Sequence, residues 1–291
     1  EPWPGGRTNH YYFDLNRDWA WQSQTESESR IKLYNKWLPH VHVDFHEQGV
    51  NNPYFFAPAS EPYHEYVTDW QRELQTMIGQ NHAKYFDKNN WLYFTKEVFD
   101  LLYPSYGDTY PTYNGAIGMT YEQAGHSRGG LAVETEDGDT LTLSDRLTHH
   151  HTTGLSTIEV ASNNVDQIVS EFTKFFTDGK KNPKGEYSTY IIPKTNQDDK
   201  VNDLKSWLDK NGIEHAVASA SKSIQGFKYL TGKKGQVKVT KGDMVVSAKQ
   251  AKSVLVQVLF EPQTVLRDSM TYDITAWSIP YVYGLDAYAL K

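Results

Sequence analysis

Between residues 177 and 186 the chain reads Thr-Asp-Gly-Lys-Lys-Asn-Pro-Lys-Gly-Glu, a polar, glycine-containing and proline-broken stretch flanked by regions of ordered hydrophobic patterning. Glycine, proline and charge together disfavour a continued helix or strand, so this is the best linker in the sequence. At roughly 150 residues per domain, 291 residues make about two units. The expected division is therefore residues 1–180 and 186–291.

Both units must be held by buried apolar surface, because the chain has no cysteine and hence no disulfide. The same absence removes thiolate metal sites and cysteine nucleophiles, which leaves histidine, carboxylate or water for any metal. With 29 basic and 36 acidic residues the net charge is −7, and neither sign forms a long block. A broad phosphate-binding surface, and with it nucleic acid as a partner, is not expected. Mean hydropathy is −0.66 and the apolar runs are short, so no transmembrane segment is expected. The chain opens on Glu1-Pro2-Trp3-Pro4, without an initiator methionine or a signal pattern, and reads as a mature form or an excised fragment.

Residues 1–24 are rich in Gly, Pro, Asn and aromatics and are expected to be irregular. Ile31, Leu33, Tyr34 and Trp37 approximate helical spacing, whereas Val41, Val43 and Phe45 alternate with His42, Asp44 and His46 as in a strand. A helix is expected from Glu65 to about Asn89, then a loop dense in Tyr, Pro and Gly over 103–118. A short strand over 119–122 leads to a glycine-punctuated loop at 125–130, and Val165, Ile168, Val169, Phe172 and Phe176 form the stripe of another helix. Beyond the linker, strands at 190–192 and 214–218, a helix at 198–210 ended by Asn211-Gly212, a hairpin-like 236–248 and an apolar helix at 251–260 suggest a small α/β unit. No repeat is present.

The polar groups able to converge in the first unit are Arg7, Asn16, Arg17, His46, Glu47 and Glu122. An Asn-Arg pair suits a carboxylate, because guanidinium is a planar fork of donors and the amide adds another. An arginine beside a tyrosine cluster is the plainer reading of the same residues. His46 could ligate a metal, with Asp44 or Glu47 in support, or be a structural histidine at a strand end. His149-His150-His151 reads as a polar turn, and His126 and Arg128 as residues that shape a pocket. Asp273 and Trp277 read as turn-capping and packing residues.

In their order along the chain, Gly6-Arg7-Thr8-Asn9, Asp14-Leu15-Asn16-Arg17-Asp18-Trp19, Asp44-Phe45-His46 and Gly118-Met119-Thr120-Tyr121-Glu122 resemble the zinc metallocarboxypeptidases related to pancreatic carboxypeptidase A. The resemblance covers about residues 5–176. It implies a three-layer α/β/α sandwich with a mixed sheet, present in part, followed by a smaller accessory α/β domain suggested by 242–246, 259–262 and 272–278. It also implies a hydrolase that uses a zinc-bound water to remove the last residue of a peptide with a free C-terminal carboxylate, in a secreted or periplasmic setting. By position, Asn16 and Arg17 match the carboxylate-holding pair, Arg7 the arginine that meets the oxyanion, His46 the third zinc ligand and Glu122 the general base. Tyr103 is the best match for the tyrosine that closes over substrate, with Tyr106 and Tyr110 as rivals.

The departure from the family is the absence of any His-x-x-Glu, the motif that supplies its other two zinc ligands. With His46 alone, zinc is doubtful in this chain, since a catalytic site needs three protein ligands. A fragment starting inside the peptidase domain is one explanation and a pseudoenzyme that binds peptide or glycan without catalysis is another. A third reading is an amidase acting on cell-wall peptides or acylated amino acids.

Overall fold

The computed structural model describes residues 7–125, 130–266, 271 and 276–291. The chain is a mixed α/β protein with several sheets. Its first part runs α1 (Thr25–Trp37), β1 (Val41–Gln48), β2 (Tyr54–Phe55), β3 (Ser60–Tyr63), α2 (Asp69–Asn89), β4 (Tyr93–Phe94), β5 (Asp100–Leu101), α3 (Thr109–Tyr113), β6 (Ile117–Ala124), β7 (Ala132–Glu134), β8 (Thr140–Thr142), α4 (Leu143–Asn163) and α5 (Val165–Lys181). A four-stranded sheet in the order β1-β6-β2-β4 organises it, with β1 parallel and β2 antiparallel to β6. α2 starts where Thr68 and Gln71 close a reciprocal capping box, which satisfies two otherwise orphaned backbone donors.

Alternation along β1 and β6 sends the two sides of each strand to different work. Ile117, Met119 and Tyr121 of β6 pack with Leu74, Ile78 and Phe86 of α2 and with Val160 and Ile168. On the other side, Gly118 passes beneath the start of α3, where a Cβ would collide with the Asp108 carbonyl oxygen and the Thr112 hydroxyl. Thr120 and Glu122 follow on that same side.

The second part runs β9 (Thr189–Ile192), α6 (Asp198–Lys210), β10 (Ala216–Val217), β11 (Lys222–Lys228), β12 (Lys233–Val239), β13 (Met244–Ser247), α7 (Ser253–Phe260), α8 (Ile279–Val282) and β14 (Tyr288–Leu290). Its six strands form an antiparallel sheet in the order β10-β13-β9-β14-β11-β12. The expected hairpin over 236–248 is corrected here: β12 pairs with β11, whereas β13 lies between β10 and β9.

The expected linker also starts too early, because α5 continues to Lys181. Gly179 is a contact residue of that helix, with room only for a hydrogen against the Ser253 side chain of α7. The largest apolar cluster draws on both parts of the chain, with Trp19, Tyr34 and Tyr110 joined to Trp207, Leu208 and Phe260. Polar ties accompany it. The Trp207 indole donates to the Ala20 carbonyl at 2.9 Å, and buried Lys252 donates to Asn35 Oδ1 at 2.9 Å and Asn114 Oδ1 at 2.6 Å.

Candidate functional site

The Asp-Leu-Asn-Arg-Asp-Trp string folds into a set of caps. Asp14 precedes a single 3-10 turn, Leu15–Arg17, and its Oδ1 accepts from the Asn16 backbone N–H at 2.9 Å. Its Oδ2 accepts from Arg7 Nε at 3.0 Å and Nη2 at 2.9 Å, which fixes the orientation of that guanidinium. Asp18 accepts from the backbone N–H groups of Ser23 and Gln24 and so shapes the approach to α1. The Trp19 indole donates to Asn16 Oδ1 at 3.1 Å, and Arg17 lies over the Tyr106 ring at 4.4 Å. Asp14 and Arg17 are thereby tied to the Asn16 backbone, Arg7 or the Tyr106 ring, and Asp18 to the residues that lead into α1.

Asn16 reaches from this turn to β1, where Asp44 and His46 share a face. Its Nδ2 lies 3.3 Å from Asp44 Oδ2 and 2.9 Å from His46 Nε2, while its Oδ1 also accepts from the Gly107 N–H at 2.9 Å. His46 Nε2 is in turn 2.8 Å from Asp44 Oδ2. When that nitrogen carries a proton it donates to Asp44, and when it does not it accepts from Asn16, so protonation chooses the partner. The hydrogen bond to Asp44 raises the His46 pKa above its usual value, against the lowering effect of burial. Glu122 sits opposite His46 in the β1–β6 register and is 7% exposed. Burial pushes its carboxyl up to about 7, with Asp44 adding to the rise and His46 and Arg7 opposing it.

Arg7, Asn16, Arg17, His46 and Glu122, from three separated stretches, line one cavity of about 50 Å³ together with Phe99, Asp100, Tyr106, Asp108 and Thr120. Tyr103 does not line it. Instead Tyr103 accepts from the Trp21 indole at 2.7 Å and packs with Leu102, Tyr106 and Trp277, while its rival Tyr106 stands in the cavity wall under Arg17. Sequence reasoning did not single out Asp108, which is buried beside Thr120 and whose carboxyl burial raises to about 6. An Asp before a Thr-Tyr-Pro-Thr-Tyr turn carries no pattern that separates it from a helix cap, so only the fold exposes it. Larger cavities of about 380 Å³ between α2, α5 and α7 and about 580 Å³ beside Trp277 include none of the six residues expected from the sequence.

The other candidates have structural roles. Of the two supports considered for His46, Asp44 is in contact, whereas Glu47 forms an ion pair with Arg146. The histidine run lies on α4, not in a turn: His149 Nδ1 is 2.8 Å from Gln123 Oε1 and His150 Nδ1 is 2.7 Å from the Tyr54 hydroxyl. Trp277 is a packing residue whose indole donates to the Val258 carbonyl at 3.0 Å. His126, Arg128 and Asp273 lie outside the described residues.

Zinc needs three converging protein ligands. Among the described residues no group of three His, Asp or Glu side chains is placed to hold a metal. The His46 Nε2 faces Asp44 and Asn16, so the described residues do not by themselves fit a catalytic zinc. Among the described residues no helix is long and apolar enough to cross a membrane. Comparison with protein-family models, with curated proteins and with solved structures finds no match.

Proposed function

We propose that this chain carries the substrate-anchoring and proton-accepting parts of a carboxypeptidase-like hydrolase acting on peptides with a free C-terminal carboxylate. The observation that carries the reading is the convergence of Arg7, Asn16, Arg17, His46 and Glu122 on one small cavity from three separated stretches of the sequence. Arg17 and the Asn16 amide suit a terminal carboxylate, which presents two acceptors to a planar donor fork. Arg7, aimed by Asp14, suits charge that develops on a carbonyl oxygen. Glu122, with its carboxyl near 7, suits a proton acceptor that works around neutral pH. A three-layer, carboxypeptidase-like arrangement around the mixed sheet and a secreted or periplasmic setting belong to the same reading.

No reaction step is routed through zinc, because the described residues do not fit it. That misfit favours a second reading, a peptide-binding protein that keeps the carboxylate pocket without catalysis. Mass spectrometry of peptides incubated with the chain and added zinc separates the two. Trimming by single residues from the C-terminus supports the hydrolase, and carboxylate-dependent binding without cleavage supports the binding protein. Cleavage at internal bonds, or binding indifferent to the terminal carboxylate, rejects both.

A further inference from the structure

The net charge of −7 hides an uneven distribution. Between residues 222 and 249, the span of β11, β12 and β13, there are seven lysines and one acid, Asp243, which leaves +6 here against −13 over the rest of the chain. Asp243 is buried, and its carboxylate accepts from the backbone N–H groups of Lys194 and Thr240, so it closes a turn and offers no charge to the surface. At the tip of the β11–β12 hairpin Lys228 stands directly opposite Lys233, and residues 229–232 form the turn, with the Thr231 and Gly232 N–H groups donating to the Lys228 carbonyl at 3.3 and 2.9 Å. Lys234 is paired with Glu186 at 2.7 Å, whereas no acid among the described residues pairs with Lys228 or Lys233. Like charges directly opposite each other destabilise an antiparallel pair, so the fold gains nothing from this placement. At the apex between them Leu230 is 78% exposed, and the half-exposed Tyr281 of α8 packs on Tyr229 at 5.1 Å.

We propose that the tip of the β11–β12 hairpin docks on an anionic lipid bilayer, with Lys228 and Lys233 among the headgroup phosphates and Leu230 entering the interface. Lysines on an edge strand keep it from pairing with other chains, which accounts for Lys234 and Lys238 of β12. It does not account for Lys228, because β11 is an inner strand between β14 and β12, nor for an apolar residue at the apex. A bilayer accounts for both. Long lysine stems let the ammonium groups stay with the phosphates while the apex goes deeper, and basic residues near an anionic leaflet are each attracted to it. A soluble polyanion would engage the same lysines and leave Leu230 in water, so the apex favours the lipid surface. The acidic remainder of the chain is repelled by that surface, which selects a tip-first approach. One leucine and a few lysines make a reversible contact and not a permanent anchor.

The test is co-sedimentation of the chain with vesicles of phosphatidylcholine alone and of an equal mixture of phosphatidylcholine and phosphatidylglycerol. At about fivefold per lysine, partitioning onto the anionic vesicles should exceed that onto the neutral ones by at least about 25-fold, fall in high salt, and be lost in the double variant Lys228→Gln, Lys233→Gln. Leu230→Ser should weaken it while leaving the salt dependence in place, with circular dichroism confirming that each variant folds. Because the chain has no cysteine, Leu230→Cys accepts a single environment-sensitive fluorophore. Its emission should shift to the blue on anionic vesicles, whereas the same label on Lys88→Cys of α2 should not respond. Equal partitioning onto both vesicle types, no partitioning onto either, or anionic partitioning that leaves the Leu230 label in water overturns the proposal. In the last case, displacement of the chain by soluble dextran sulfate would identify a polyanion site in place of a lipid one.

Discussion

Glu122 and His46 face each other across the parallel ladder of β1 and β6, the histidine lowering the proton affinity of the glutamate and the glutamate raising that of the histidine. Burial outweighs this mutual effect for Glu122, so its carboxyl titrates near neutrality while the imidazole opposite keeps Asp44 as its main partner. One strand register thus brings together two of the groups whose protonation sets the charge of the cavity.

Glu122 should make the protein less stable as the pH rises. Its carboxyl is raised from 4.5 to about 7, so the folded chain holds the proton more tightly than the unfolded one. The contribution is full below about pH 4.5 and is lost as the pH passes 7. Glu122→Gln should remove the loss, gaining on the order of 3 kcal/mol on the natural protein between pH 4.5 and 8. Asp108, raised to about 6, keeps a slope of the same sign in both proteins. Urea unfolding at the two pH values checks this, and parallel behaviour of the two proteins would contradict it.

His82 should act in the opposite direction. It is fully buried, with Nδ1 2.8 Å from the Ser156 hydroxyl and Nε2 without a partner, and burial lowers it from 6.5 to about 3. Its stabilising contribution is present above pH 6.5 and disappears as the pH falls towards 3, by up to roughly 5 kcal/mol. His82→Asn keeps a polar group towards Ser156 and removes the titration, so the acid limb of the unfolding profile should flatten. An unchanged acid midpoint would show that His82 does not drive acid unfolding.

Two glycines offer a matched pair. A Cβ on Gly107 would collide with the Asp44 carboxylate and crowd Asn16 Oδ1, whereas one on Gly235 meets nothing within 4 Å. Gly107→Ala should cost about 1–3 kcal/mol by overpacking and should weaken binding of carboxylate ligands, because the displaced groups position Asn16. Gly235→Ala should be neutral or slightly stabilising. Thermal unfolding of the two variants side by side gives the comparison, and equal shifts would remove Gly107 from the site's architecture.

Much of this was readable before any coordinate. The helix ending at about Asn89 and the Asn-Gly stop after α6 are local signals, and local physics honours them, although the Thr68–Gln71 cap starts α2 at Asp69, four residues later than expected. α4 escaped because its buried positions include Thr153, Ser156 and Thr157, while Leu147, Leu155 and Ile158 face outwards, so the helix shows no apolar stripe on its core side. The two-residue strands β2 and β4 are too short to show alternation, and the β12–β13 misreading arose because sequence neighbours need not pair. In the site, Arg7, Asn16, Arg17, His46 and Glu122 rested on the ordered strings they belong to. Asp108 and the choice of Tyr106 over Tyr103 as a cavity wall depend on where α3 crosses β6, which no local pattern encodes.

Metal content is a separate check. With His46 turned to Asp44 and Asn16, the purified chain, stripped of any affinity tag and dialysed, should hold well below one zinc per molecule. Elemental analysis decides it. Stoichiometric zinc that is lost on His46→Ala would show that His46 turns to a metal when one is present and that further ligands join it.

The most direct test of the carboxylate anchor is a titration of the natural chain and of Arg17→Ala with a matched pair of peptides, one ending in a free carboxylate and the other in an amide. The natural chain should favour the acid by about 1.5–3 kcal/mol, the usual worth of a charge-assisted hydrogen bond. Arg17→Ala should erase that difference by weakening the acid alone. Equal binding of acid and amide to the natural chain, or a preference that survives the loss of Arg17, would show that the cavity serves another ligand.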